Sequence, residues 1–378
     1  MNRYYYLANV CINKKDIEER NPIFSEAGSN RVLYIAKSVG KKIEIISFGR
    51  PRNKGYFKRV SKKITDKISI VYLSTLNINF FIKYIYSILE LSFYLFPKIK
   101  YGDKVIVYNC DFSKVVSLIL VRIIKNFDII LEIEEFYSTN AKSKILQKIY
   151  KYLEILIIRK ADYFIVSNSN MLNRIKSIKK TKIKFLISFG YSDGRIVKIL
   201  PMKSTRRSFI LYSGRDDYHG GFDILLEALK YIDIKLNLVI TGKNFEGLNF
   251  EKYETKFVNI ENKGFLKKED FEILLKKASL CISPLRSKCD FARFSFPSKI
   301  IQYLEYGNIV VSSEIEAINQ LGILRKYIFT YPEDDPMILS RIIKKNYKKR
   351  ILESNIIDDF NKFFNNKTKE LKNFFEGI

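Results

Sequence analysis

The chain has 378 residues, enough for two domains of ordinary size. Its composition, 47% hydrophobic and 28% charged, excludes a disordered or collagen-like chain. Lys+Arg total 67 against 40 Asp+Glu, a formal net charge of +27, which favours nucleic acid, anionic lipid or phosphorylated small molecules as partners. Lys, Ile, Asn, Tyr and Phe are all abundant while Trp is absent, so a coding bias accounts for the charge as readily as a partner does.

Strand and helix patterns alternate from end to end, which predicts an α/β fold of parallel sheets with helices on both faces. Tyr4 to Val10 reads as a strand. A polar loop with Gly28 leads into a helix over 30–38. Strands follow at 42–48 and 68–73, then an apolar helix at 78–96, a strand at 104–109, a helix at 113–124 and a strand at 128–133. A basic helix covers 142–159, and strands at 163–166 and 183–187 complete a first domain, 1–190. Residues 191–207 carry Gly, Ser and charge with little periodicity and read as a linker. A second domain, 208–353, repeats the rhythm with strands at 208–213, 236–241, 257–260, 280–284, 308–312 and 327–331. Its helices are expected at 221–231, 268–278 and 297–306, and a last helix rich in Phe and Lys at 354–375.

The start, Met1-Asn2-Arg3-Tyr4, lacks the apolar core of a signal peptide. The most apolar stretch, 78–96, is interrupted by Lys83 and Glu90, whereas a bilayer span needs roughly 20 mostly apolar residues. A cytoplasmic protein is the expectation. Cys11, Cys110, Cys281 and Cys289 form no CxxC pair, and the one histidine, His219, cannot complete a zinc site of ordinary spacing. The cysteines read as small apolar fillers, and no metal is expected.

The chemistry concentrates in 208–313. Ser208 to Tyr212 is an apolar run that breaks at Ser213-Gly214-Arg215, and the following turn ends in Gly220-Gly221 before a helical pattern. Glycine there lets backbone N–H groups approach a phosphate, and a guanidinium binds two phosphate oxygens at once. Thr241-Gly242-Lys243 ends the next strand, and Gly264-Phe265-Leu266 precedes another helix where backbone groups commonly hold a base. Arg293 precedes Phe296-Pro297-Ser298-Lys299, with Pro297 suited to a first helical turn and Ser298 and Lys299 at its positive end. Gln302, one turn on, reads as a ribose contact. Singly, each motif also fits ordinary loop chemistry; their joint spacing describes a diphosphate and ribose cradle. In the first domain Glu132, Glu134 and Glu135 end a strand, where carboxylates point toward a crevice or Glu135 caps the next helix.

These motifs resemble the retaining GT-B-fold glycosyltransferases of family 4, most clearly over 208–313. The resemblance implies two Rossmann-like domains facing across a cleft, with the donor on the second and the acceptor on the first. It implies a last helix, 354–378, that packs back on the first domain. Gly214, Arg215, Gly220, Gly221, Thr241, Gly242 and Lys243 then hold the donor, together with Gly264, Phe265 and Leu266. Arg293, Phe296, Pro297, Ser298, Lys299 and Gln302 complete that site, while Glu26, Gly28 and Ser29 fall on the acceptor side. Glu134 and Glu135, which stand where others often carry His-Asp, take catalytic places with Arg215 and Lys299. The family's lysine position is Gly220, and its Glu-x7-Glu pair falls on Ser295 and Gln302.

The function so implied is sugar transfer from a UDP- or GDP-sugar to a glycan, lipid-linked, in cell-surface polysaccharide synthesis, with no metal or cofactor. A non-catalytic protein of the same fold that binds a glycan, membrane or partner enzyme is the alternative. Nucleic acid is not an expected partner, since no helix-turn-helix, zinc finger or RNP-like aromatic motif is present. Lys142, Lys144, Lys148 and Lys151 beside Ile145, Ile149, Leu153 and Leu156 suggest an anionic membrane surface as partner, at the inner face of the cell membrane. The same pattern also suits a helix buried against a sheet.

Overall fold

A computed structural model describes residues 3–141, 143–190, 209–215, 218–245, 247–332, 334–347, 349 and 351–378. The linker expected at 191–207 lies outside the described residues. The chain divides into two units, Met1–Asp193 with Lys367–Ile378, and Gly194–Asn366.

In the first unit the strands are β1 (Tyr4–Leu7), β2 (Ile43–Ser47), β3 (Gly55–Phe57), β4 (Val60–Lys63), β5 (Ile68–Tyr72), β6 (Thr75–Asn77), β7 (Lys104–Tyr108), β8 (Asp128–Ile133), β9 (Tyr163–Val166) and β10 (Lys184–Ile187). Its helices are α1 (Glu26–Val39), α2 (Phe80–Leu95), α3 (Phe112–Ile124), α4 (Tyr137–Asn140), α5 (Lys144–Lys160) and α6 (Ser169–Ile178). The sheet order is β10-β9-β8-β7-β1-β2-β5-β4, parallel except for β4, which runs antiparallel to β5. The strand β1 is central, which explains why Tyr4, Tyr5, Tyr6 and Leu7 are all buried: helices cover both faces.

The second unit holds β11 (Phe209–Arg215), β12 (Leu236–Lys243), β13 (Val258–Asn262), β14 (Ala278–Ser283), β15 (Val310–Ser313) and β16 (Ile328–Tyr331). These form one parallel sheet in the order β13-β12-β11-β14-β15-β16. Its helices are α7 (Phe222–Leu229), α8 (Lys268–Lys277), α9 (Asp290–Phe294), α10 (Ser298–Glu305), α11 (Glu316–Asn319) and α12 (Pro336–Tyr347). The last helix, α13 (Glu353–Glu376), begins here, and its residues from 367 onward belong to the first unit. There Leu371 and Phe375 enter the core, and the Phe375 ring lies edge-on to Tyr4 at 6.1 Å.

The structure corrects four expectations. Gly28 is not in a loop: the Ser25 side chain accepts from the Gly28 N–H and starts α1 at Glu26. The strand β11 does not break at Ser213 but continues through Arg215, paired with β12. Arg293 sits in the short helix α9 rather than a loop. In α5, Leu153 is buried while Ile145 and Ile149 are exposed, so the expected apolar stripe is split between core and surface. Sequence periodicity also missed α6, α9, α12 and the ribbon β3–β6. No helix among the described residues is long and apolar enough to cross a membrane.

Candidate functional site

The second unit gathers its candidate residues at the C-terminal edge of its sheet. Gly214 pairs in register with Gly242, and Arg215 with Lys243. Register partners on parallel strands send their side chains to the same face, so two exposed cations stand side by side at this edge. Neither has an ion-pair partner among the described residues. Like charges placed directly opposite repel; a bound dianion would relieve that repulsion.

Each glycine at this edge has a local reason. The Tyr212 hydroxyl donates to the Arg215 carbonyl at 3.1 Å and so reaches over Gly214, where a Cβ would stand 2.6 Å from that oxygen. Gly242 has φ +141, and its Cβ would lie 1.9 Å from the Gly214 carbonyl oxygen. The Gly242 N–H and the Thr241 hydroxyl both donate to the Gly264 carbonyl, at 2.9 and 2.7 Å, tying the loop before α8 to the end of β12. Phe265 is exposed in that loop, with the Lys243 ammonium 5.0 Å from its ring centre; Leu266 is half-buried.

The helix α10 is locked to the same edge. Its Tyr303 is buried, and the Tyr303 hydroxyl accepts from the Ser213 N–H at 3.1 Å. Tyr303 lies little more than one turn after Ser298, so this bond ties α10 to the strand whose end carries Gly214 and Arg215. Pro297 is the residue capping α10, just outside the first turn where it was expected. Lys299 donates to the Gln302 side-chain oxygen at 3.2 Å, and its ammonium sits 4.7 Å from the Phe271 ring in the first turn of α8. Lys299 and Gln302 are therefore neighbours between two helix starts, where partial positive charge favours an anion. Ser298 is exposed, Phe296 half-buried and Ser295 buried. The Arg293 guanidinium is exposed, 5.3 Å from the Phe294 ring.

Gly221 has a different explanation from the one its motif suggests. It caps α7 at φ +63, and a Cβ there would meet the Pro284 carbonyl oxygen at 1.8 Å. Packing of the β14–α9 loop therefore requires glycine at 221. Arg286, which sequence reasoning did not single out, holds the two loops together. Its N–H donates to the His219 carbonyl at 3.1 Å, and its guanidinium to the Tyr218 carbonyl at 2.9 Å and to Asp223. Gly220 lies in the same half-buried turn.

The first unit presents its carboxylates differently. Glu132 is fully buried, and the Arg31 guanidinium donates to it at 2.8 Å. Arg31 also lies 3.2 Å from Glu134, and donates to the Ser188 and Gly190 carbonyls at 3.0 and 2.8 Å. The Tyr6 hydroxyl donates to Glu132, and Tyr108 to Glu134. Burial pushes the Glu132 carboxyl up, against the pull of Arg31, and the Glu134 charge pushes it the same way. For Arg31, burial works against the charge, but Glu132 and Glu134 outweigh it and hold the guanidinium protonated. Asn109, in the left-handed region at φ +54, accepts from the Glu134 N–H at 2.8 Å and the Glu135 N–H at 3.4 Å. Glu135 is not a helix cap: Phe136 precedes α4 and no side chain caps it. Only Glu134 and Glu135 of the three acids are partly exposed. Of the acceptor-side residues, Glu26 is exposed, whereas the buried Ser29 donates its hydroxyl to the Cys11 carbonyl. No signal marks Arg31 in the sequence, because its main partner is 101 residues away.

Residues 201–363 match the family model described as glycosyl transferases group 1. Comparison with curated proteins by sequence returns no match. Among solved structures, sucrose-phosphate synthase from Thermosynechococcus elongatus superposes with a TM-score of 0.67 at 14% identity, over 98% of this chain and 95% of that one. The Anabaena protein HepE in complex with UDP-glucose gives 0.62 at 12% identity, over 100% of each chain. The lipopolysaccharide outer core galactosyltransferase WaaB gives 0.58 at 16% identity, over 98% of this chain and 99% of that one. The chain thus has the GT-B fold of two Rossmann-like halves, and its residues 201–363 are similar to the group 1 glycosyl transferases.

Proposed function

We propose that the protein transfers a sugar from a UDP- or GDP-linked donor to a hydroxyl of a saccharide acceptor carried on a lipid, in the building of a cell-surface glycan. The observation that carries this reading is the registered pair Arg215 and Lys243 at an edge cleared by Gly214 and Gly242. An acceptor hydroxyl attacks the anomeric carbon, and the bond from that carbon to the diphosphate oxygen breaks. The nucleoside diphosphate leaves with the electron pair, and the hydroxyl proton is released. Arg215, Lys243 and Lys299 would neutralise the charge that grows on the leaving group, which suits a reaction without metal or other cofactor. Gln302 takes the ribose. HepE in its complex with UDP-glucose and the galactosyltransferase WaaB are of the same fold, which supports a hexosyl donor and a lipid-borne acceptor. Retention of configuration follows the family resemblance.

The test combines a thermal-shift screen of UDP, GDP, ADP and CMP with a donor-turnover assay, since a ligand that binds only the folded state raises its melting temperature. One nucleoside diphosphate should stabilise, and Arg215→Ala or Lys299→Ala should weaken its binding by about tenfold to a hundredfold while leaving the nucleoside little changed. Equal losses for both ligands would make these residues structural. Nucleotide binding with no turnover on any sugar donor would instead favour the non-catalytic reading, which the Ser295 and Gln302 substitutions keep in view.

A further inference from the structure

In the first unit, α2, α3 and α5 cover one face of the sheet. They join β5 to β7, β7 to β8 and β8 to β9, crossovers that all step the same way through the strand order. Right-handed crossovers then place them on one side. They touch in sequence: the Ser117 hydroxyl donates to the Ile88 carbonyl at 3.0 Å, and Lys125 lies 4.9 Å from the Phe96 ring. Tyr84 meets Phe112 edge-on at 5.6 Å and hydrogen-bonds with Tyr150 of α5.

The outer side of this layer is apolar. On α2, Phe81, Ile85, Leu89 and Phe93 are exposed at a spacing of four, with Phe81 at 76% and Phe93 at 73%. On α3, Leu120, Ile123 and Ile124 are exposed, Ile123 at 75%. On α5, Ile145 (72%), Ile149 and Tyr152 share one face by helical spacing, while Leu153, Ile157 and Ile158 are buried. Scattered exposed apolar residues need no explanation, but three adjacent helices carrying such stripes do.

The charges on this layer bear on what covers it. The three helices contain two acids, and both are engaged: Glu90 with Arg59 at 2.7 Å, and the buried Glu154 with Arg174 at 2.8 Å. The bases Lys144, Lys148 and Lys151 are exposed along one side of the apolar face of α5, and Arg159 and Lys160 end it. A second copy of this chain fits poorly, because a two-fold contact sets the patch against itself, and both of its acids are already paired, leaving none for the lysines. An anionic bilayer supplies both the apolar phase and the opposite charge.

We propose that the α2–α3–α5 face seats the protein in the plane of an anionic membrane, with Phe81, Phe93, Ile123 and Ile145 in the headgroup–acyl boundary and the α5 lysines against lipid phosphates. The inference does not depend on the donor chemistry of the second unit. Flotation of the full chain with vesicles tests it, using phosphatidylcholine alone and equal parts phosphatidylcholine and phosphatidylglycerol, at low and high salt. The protein should float with the anionic vesicles at low salt and stay behind with the neutral ones. The variant Lys144→Gln, Lys148→Gln, Lys151→Gln should bind about a hundredfold more weakly. The variant Phe81→Ser, Phe93→Ser should bind about tenfold more weakly or worse. Both variants should melt like the parent and keep its nucleotide-induced thermal shift, which separates loss of the surface from misfolding and from failure of the donor reading. Indifference to lipid charge, absence of flotation, or variants that float like the parent would overturn the proposal. So would a lipid-free dimer that the Phe variant dissociates.

Discussion

The two sheet edges are built from opposite materials. In the first unit the C-terminal end of β8 carries acids, and the fold spends most of them on itself: Arg31 joins Glu132 and Glu134, and Tyr6 and Tyr108 donate to the same carboxylates. In the second unit the ends of β11 and β12 carry glycine followed by a cation, and no carboxylate lies against Arg215 or Lys243 among the described residues. A charged residue at a parallel strand's C-terminal end is therefore a candidate for chemistry only when the surrounding fold leaves it uncompensated. By that measure the second edge is poised for an anion, while the first is largely a structural network with Glu134 and Glu135 at its margin.

The comparison breaks most sharply at Arg31. Replacing it with Met leaves a buried carboxylate without its partner, which should cost on the order of 3–5 kcal/mol in urea denaturation. A loss under 1 kcal/mol would mean that the first edge is not a closed network. Next comes Gly242→Ala. A Cβ there meets a carbonyl oxygen at 1.9 Å, and the positive φ alone costs about 1–3 kcal/mol. The variant should melt earlier and lose its nucleotide-induced shift. Gly264→Ala also adds a Cβ at a positive φ, +60, but meets nothing within 4 Å, so it should cost less stability and less of the shift than Gly242→Ala. The smallest expected effect is at Gln302. Gln302→Glu should hold nucleotide binding within about twofold, while Gln302→Leu should lose about 0.5–1.5 kcal/mol, the worth of one ordinary hydrogen bond. Isothermal titration with the preferred nucleotide reads both. Indifference to Leu would remove the side chain from the site.

The strand–helix alternation was legible because buried parallel strands are continuous apolar runs, as in Tyr4 to Leu7 and Phe209 to Ser213. The glycine-and-cation pairs at 214–215 and 242–243, and Ser298-Lys299, were legible for a similar reason: each motif sits at the end of its own element, so local sequence is enough to place it. Short elements escaped notice, since α9 and the ribbon β3–β6 are too brief to show a period. The start of α1 was misplaced because Gly28 suggests a loop, whereas the Ser25 cap decides.

By itself the sequence determined the alternating α/β architecture, the glycine and lysine or arginine motifs at the second unit's sheet edge and the surplus of positive charge. Tertiary structure alone decided which of those charges remain available. Arg31 reaches Glu132 across 101 residues, Tyr303 pins α10 to Ser213 across 90, and Pro284 dictates Gly221 from a loop in another part of the unit. The same holds for the lipid-facing candidate surface, where Leu153 turned inward and Ile145 outward on one helix. Periodicity reports that a helix has an apolar side, but which residues of that side meet water depends on the elements packed beside it.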